Sequence, residues 1–149
     1  MCGIFGYIGH QPSLPILVEG LRRLEYRGYD STGVGLHDGE SISVYKTVGK
    51  VNNLKHVLPE EANATMGIAH TRWATHGGVT QENTHPHASY DGRVLLVHNG
   101  IIENFRPLRA KLIAKGIELQ SETDSEVLAH MVGLELEAGA SPQDSVRRM

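Results

Sequence analysis

Met1-Cys2-Gly3-Ile4-Phe5-Gly6 opens the chain and holds the only cysteine among its 149 residues. Cys2 follows the initiator methionine directly. Methionine is usually trimmed when the next residue is small, and Cys is small. Trimming leaves a thiol and a free α-amine on one residue, a nucleophile with its own general base attached. The competing reading is structural: a buried first strand in which Cys packs as a small hydrophobe. Gly3 and Gly6 fit both, because a strand glycine marks close approach of backbone or ligand.

The bulk properties narrow the classes. A chain of this length is one domain with room for a real core. Hydrophobic residues make up 40% and charged residues 21%, the balance of an ordinary globular protein. The net charge is -3 with both signs scattered, which argues against nucleic-acid or membrane-surface partners recruited by charge. The longest apolar run is Val94-Leu95-Leu96-Val97, far too short to span a bilayer. No basic region followed by an apolar stretch opens the chain, so no secretory signal is read. One cysteine forms no internal disulfide, and a thiol kept reduced points to the cytoplasm.

Strands are expected at 3–9, 32–37, 42–47, 66–71 and 93–98, with Asp38-Gly39 as a hairpin turn. The first of these is expected to be central, because glycines and apolar residues occupy both of its faces. Leu14, Leu17, Val18, Leu21 and Leu24 recur at helical spacing and predict a helix ending before Gly28. Further helices are expected at 51–58, at 104–115 with Gly116 as its cap, and from the capping box Thr123-x-x-Glu126 to Gly139. One more begins at Ser141-Pro142. The order is not a clean alternation of strand and helix, so the fold class is α+β, a layered sandwich.

Polar groups gather at strand ends. Arg72-Trp73-Ala74-Thr75-His76-Gly77 combines a guanidinium fork suited to a carboxylate with indole, hydroxyl and imidazole groups. It is also readable as an ordinary surface loop. Asn99 beside the Gly100 N–H can supply two donors to one oxyanion, although Asn-Gly is also a common turn. Asp124 at a helix start either complements the dipole or binds an ammonium group. His85-Pro86-His87 raises a metal site, but no Cys or carboxylate is spaced to complete a tetrahedral set, so no metal is assigned.

Taken in order, Cys2-Gly3-Ile4-Phe5-Gly6, Leu21-Arg22-Arg23-Leu24-Glu25-Tyr26-Arg27-Gly28-Tyr29-Asp30-Ser31, His70-Thr71-Arg72-Trp73-Ala74-Thr75-His76-Gly77, His98-Asn99-Gly100-Ile101-Ile102-Glu103-Asn104 and Ser121-Glu122-Thr123-Asp124 resemble a known family. It is the class II glutamine amidotransferases, which are N-terminal-nucleophile hydrolases. The branch most similar is the glutaminase domain of the isomerising glutamine–fructose-6-phosphate aminotransferases, which make glucosamine 6-phosphate. The resemblance implies a four-layer αββα sandwich with two stacked antiparallel sheets. It implies that Cys2, freed of Met1, attacks the carboxamide of glutamine. The α-amine acts as base; at a usual pKa of about 7.7–8.0 a workable fraction is unprotonated.

By the same resemblance, Asn99 and Gly100 form the oxyanion hole, Arg72 holds the glutamine α-carboxylate and Asp124 its α-ammonium. Thr75 and His76 lie on a loop closing over glutamine, and Trp73 matches a residue gating ammonia passage. His85 and Arg27 match positions that support the site. No cofactor or metal is implied. Fructose 6-phosphate would be met only through sugar-isomerase domains that residues 1–149 lack, and the full-length enzyme would be a homodimer. The family's glutaminase domain carries further strands, so residues 1–149 are expected to be an incomplete domain. Two other expectations stay open: a different class II amidotransferase, or a silent fragment that only binds glutamine or a partner.

Overall fold

The computed structural model describes residues 1–74 and 77–149. Strand β1 (Gly3–Ile8) turns Phe5 and Tyr7 inward and leaves Ile4 and Ile8 exposed. Helix α1 (Ser13–Leu24) buries Leu14, Leu17 and Leu21, the face expected from spacings of three and four. It tightens into a 3-10 turn over Glu25–Arg27. The chain then passes Gly28, where a Cβ would come within 2.9 Å of the Arg72 carbonyl carbon, so only glycine fits. Strands β2 (Ser31–His37) and β3 (Ile42–Val48) form the expected hairpin. The Asp38 carboxylate closes its turn by accepting from the Glu40 and Ser41 amides at 2.9 and 2.8 Å. The helix expected at 51–58 is a 3-10 helix over Val51–His56.

Strand β4 (Met66–Arg72) pairs antiparallel with both β1 and β2, giving the order β1-β4-β2-β3. Strand β1 is therefore at an edge rather than central. Its glycines answer a different demand: a Cβ on Gly3 would sit 2.8 Å from the Leu24 Cβ of α1. Gly3 admits the helix, and implies nothing about strands on both sides.

A second, smaller layer lies across this sheet. Strands β5 (His87–Ala88) and β6 (Leu95–Leu96) form an antiparallel ribbon. The strand expected at 93–98 is thus paired only over its middle. The ribbon sits flush because β2 offers Gly33 and Gly35 on that face. A Cβ at Gly33 would lie 2.0 Å from the His85 carbonyl oxygen, and one at Gly35 would lie 2.4 Å from the Leu95 side chain. Val34 and Leu36 alternate with these glycines and fill the apolar core under α1.

Helix α3 (Asp124–Glu137) packs on the ribbon, with α2 (Phe105–Ala114) and α4 (Pro142–Arg147) against it. A second apolar cluster of Leu112, Ile117 and Val127 joins α2 to α3. The layers run α1, sheet, ribbon, α3. Thr123 caps α3 by accepting from the Glu126 N–H at 3.3 Å, half of the expected capping box. The other half is redirected: the Glu126 carboxylate accepts from the Gln120 and Ser121 amides at 2.6 and 2.7 Å. No described helix is long and apolar enough to cross a membrane.

Candidate active site

The ends of β1 and β4, the segment after β6 and the first turn of α3 converge on a small cavity of about 50 Å³. Cys2, Arg72, Trp73, His85, Asn99 and Asp124 line it, with Gly100, His98, Thr123 and Ser125 completing the wall. Residues 97 positions apart in sequence thus face one another. A water occupies about 30 Å³ in the liquid, so the space holds the carboxamide end of a side chain; a whole amino acid requires the surrounding chain to yield.

Cys2 is held at both ends. Its sulfur accepts from the Trp73 N–H at 3.2 Å and reaches the Trp73 carbonyl at 3.5 Å. The Cys2 carbonyl accepts from Asn99 Nδ2 and from Arg27 Nε, each at 3.3 Å. Arg27 therefore fixes the start of the chain, and does not line the cavity. Met1 is 76% exposed, open to a processing enzyme.

Asn99 sits between two partners: its Oδ1 lies 2.8 Å from His70 Nε2 while Nδ2 meets Cys2. Gly100 follows without a side chain, and a Cβ there would lie 2.7 Å from His98 Nε2. Arg72 is buried, and its guanidinium donates to the Gly78 and Gly77 carbonyls at 3.0 and 3.4 Å. Burial lowers its pKa, opposed by Cys2, Asp30 and Glu122. Asp30 reinforces the corner: its carboxylate accepts from the Ala74 N–H at 2.8 Å. Trp73 is half-exposed and meets Tyr29 edge-on at 5.8 Å.

Asp124 is buried at the first turn of α3, where one carboxylate oxygen accepts from the Ile102 N–H at 2.8 Å. That bond steadies it; among the described residues no group of three His, Cys, Asp or Glu is arranged to hold an ion. Asn83 clips the long loop to the approach of α3, giving Nδ2 to Glu122 at 2.9 Å and taking the Glu122 N–H at 2.8 Å.

A column of imidazoles backs the cavity. His70 stacks on His85 at 4.2 Å, and His85 meets His87 edge-on at 4.6 Å. His87 Nε2 lies 3.0 Å from Thr123 Oγ1. Burial lowers all three pKa values, His70 to about 4 and His87 to about 3. The rings are neutral at pH 7, which is how three can stack. Both nitrogens of His85 are buried without a hydrogen-bond partner among the described residues.

Of the residues singled out in the sequence, the fold brings Cys2, Arg72, Trp73, His85, Asn99, Gly100 and Asp124 to one cavity. Arg27 stands behind it, and Thr75 and His76 lie outside the described residues. His70, His98 and Thr123 stood in the motifs without a role in the site, and Ser125 was not singled out; strand register and the cap of α3 bring them there.

Comparison with solved structures places the layers. Glutamine phosphoribosylpyrophosphate amidotransferase of B. subtilis, solved with ADP and GMP, superposes with a TM-score of 0.77 and 28% identity over 99% of this chain and 32% of that one. A structure described as the allosteric regulatory enzyme of purine biosynthesis superposes at 0.82, again with 28% identity. The fold is that of the N-terminal-nucleophile amidotransferases.

The sequence then narrows the class. The profile of the glutamine amidotransferase domain matches residues 54–143. Glutamine–fructose-6-phosphate aminotransferases (isomerising) are 52% identical in Streptomyces coelicolor and 53% identical in Gluconobacter oxydans, over 99% and 97% of this chain. The Methanosarcina mazei relative is 50% identical over 89%. This chain belongs to the glutamine amidotransferase domain family. It spans about 24% of the length of the first two relatives.

Proposed function

We propose that the chain hydrolyses glutamine to glutamate and ammonia through a thioester on Cys2. The observation that carries this is the meeting of a cysteine thiol, a carboxamide donor, a guanidinium and a carboxylate around one small cavity. With Met1 removed, the Cys2 α-amine takes the thiol proton and the sulfur attacks the glutamine carboxamide carbon. The oxyanion that forms is held by Asn99 Nδ2 and the Gly100 N–H, donors of a kind each worth about 2.7–4 kcal/mol in a transition state. Collapse expels ammonia with the proton carried by the amine. Water then cleaves the thioester and frees glutamate.

Arg72 takes the substrate α-carboxylate, which competes for its fork with the Gly77 and Gly78 carbonyls. Asp124 takes the α-ammonium through the oxygen turned away from Ile102. Arg27 keeps Cys2 in place through its carbonyl, and Trp73 gates the passage of ammonia. Thr75 and His76 contribute to closure over glutamine. His85 hydrogen-bonds the ligand or its water through a nitrogen that has no partner among the described residues.

In a longer protein the ammonia is passed to fructose 6-phosphate, the sugar phosphate in the names of the relatives, giving glucosamine 6-phosphate. Such a protein acts in the cytoplasm and as a homodimer. We place further strands of the glutaminase domain beyond those of residues 1–149. The face of the first sheet that receives the ribbon leaves Ile4, Ile8, Val44 and Met66 exposed, Ile8 by 78%. An apolar strip of that kind is what a wider second sheet covers.

The test is glutamate release by the Met1-trimmed chain beside its Cys2→Ala variant. Release that disappears in the variant, with unfolding unchanged, supports the proposal. Release that survives in Cys2→Ala removes the thioester.

A further inference from the structure

His70 is the most buried polar side chain touching the site machinery and has no role in the chemistry above. It lies at the centre of β4, opposite Ile4 on one side and Gly33 on the other, with 1% of its surface exposed. Its Nε2 is 2.8 Å from Asn99 Oδ1. We propose that His70 is a positioning residue: its Nε2–H holds the Asn99 carboxamide so that the amide nitrogen, and not the oxygen, faces the reacting carbonyl beside Cys2.

The orientation follows from which groups can donate. The Cys2 carbonyl only accepts, so the atom of Asn99 that meets it at 3.3 Å is the nitrogen. Oδ1 therefore faces His70, and an oxygen needs a donor, so the proton is on Nε2. Nδ1 is buried with no hydrogen bond of good geometry among the described residues, and the His98 main chain lies near enough to act on the ring. The stack on His85, with planes 27° apart, fixes the ring. The torsion that turns an Asn amide is broad and nearly two-fold. Without the His70 donor, the flipped amide puts an oxygen where the oxyanion needs N–H.

This inference rests on the reading of Asn99 as an oxyanion donor, and the experiment separates the two. On the Met1-trimmed chain, His70→Leu lowers kcat for glutamate release roughly ten- to hundredfold, below the full loss of a donor, with KM changed by no more than about twofold. His70→Gln, whose amide N–H reaches the place of Nε2, recovers most of kcat. His70→Asn, a residue shorter, does not.

A second measurement needs neither turnover nor a variant. Nitrogen NMR of the histidine-labelled wild type near neutral pH gives His70 as the Nε2–H tautomer. An Nδ1–H tautomer or an imidazolium overturns the inference, as does a folded His70→Leu with wild-type kcat. If the wild-type chain releases no glutamate, the proposed function fails while the tautomer still decides the geometry.

Discussion

Two halves of this sandwich are closed in different ways. Between α1 and the four-stranded sheet the filling is apolar: Leu14, Leu17, Leu21, Val34 and Leu36, with Phe5 and Tyr7 against them. Between that sheet and α3 the filling at the site end is polar: His70, His85, His87, Thr123, Ser121 and Glu126, all buried. Apolar contacts have no direction, so they hold layers together without aiming any atom. Hydrogen bonds do have direction. The Glu126 carboxylate accepts from Gln120 and Ser121, and Asn99 is pinned between His70 and Cys2. One half supplies cohesion, and the other orients donors around the thiol.

Substitutions test that division. Leu21→Ala, at a fully buried position under the sheet, costs about 2–5 kcal/mol of unfolding free energy. The folded fraction keeps its kcat, so denaturant unfolding moves while turnover per folded molecule does not. Asn99→Ala does the opposite: kcat falls by about 10²–10³, equivalent to 2.7–4 kcal/mol. Its stability loss is smaller, about 1–3 kcal/mol for the His70 donor left unpaired. A pair of variants shifting both readouts equally breaks the comparison.

Acid sharpens it with a smaller effect. Burial keeps the His70 pKa at about 4 and that of His87 at about 3. The unfolded chain binds those protons near the ordinary histidine value of about 6.5. Unfolding therefore takes up protons between about pH 6.5 and 4, and stability falls as pH falls through that window. Each histidine contributes up to about 1.4 kcal/mol per pH unit. Glu126 adds loss lower down: burial opposes its ionisation, but His130, Ser121 and the Gln120 and Ser121 amides hold its pKa at about 2. Its stabilisation goes as pH drops from about 4.5 through 2. Thermal unfolding followed from pH 7 to 4.5 reads the histidine part; a flat midpoint contradicts the neutral column.

The same contrast explains what the sequence made legible. The α1 face was readable from Leu14, Leu17 and Leu21 because apolar burial repeats with the helical turn. Asn99-Gly100 and Asp124 stood out because strand ends and helix starts are where sites are built. His70 did not, since its role comes from a partner 29 positions away that register alone brings near. Gly33 and Gly35 read as strand glycines, yet what they admit is the His85 carbonyl and the Leu95 side chain. The edge position of β1 was misread for the same reason: glycine reports close approach but not by what.

The central claim is that Cys2 acts with its own α-amine, and processing decides it most directly. Intact mass and glutamate release are measured on two preparations of the same chain, one with Met1 removed and one with it retained. The account predicts turnover in the trimmed chain and none in the retained chain, both folded alike, because a peptide nitrogen is no base. Equal turnover by the chain that keeps Met1 contradicts it.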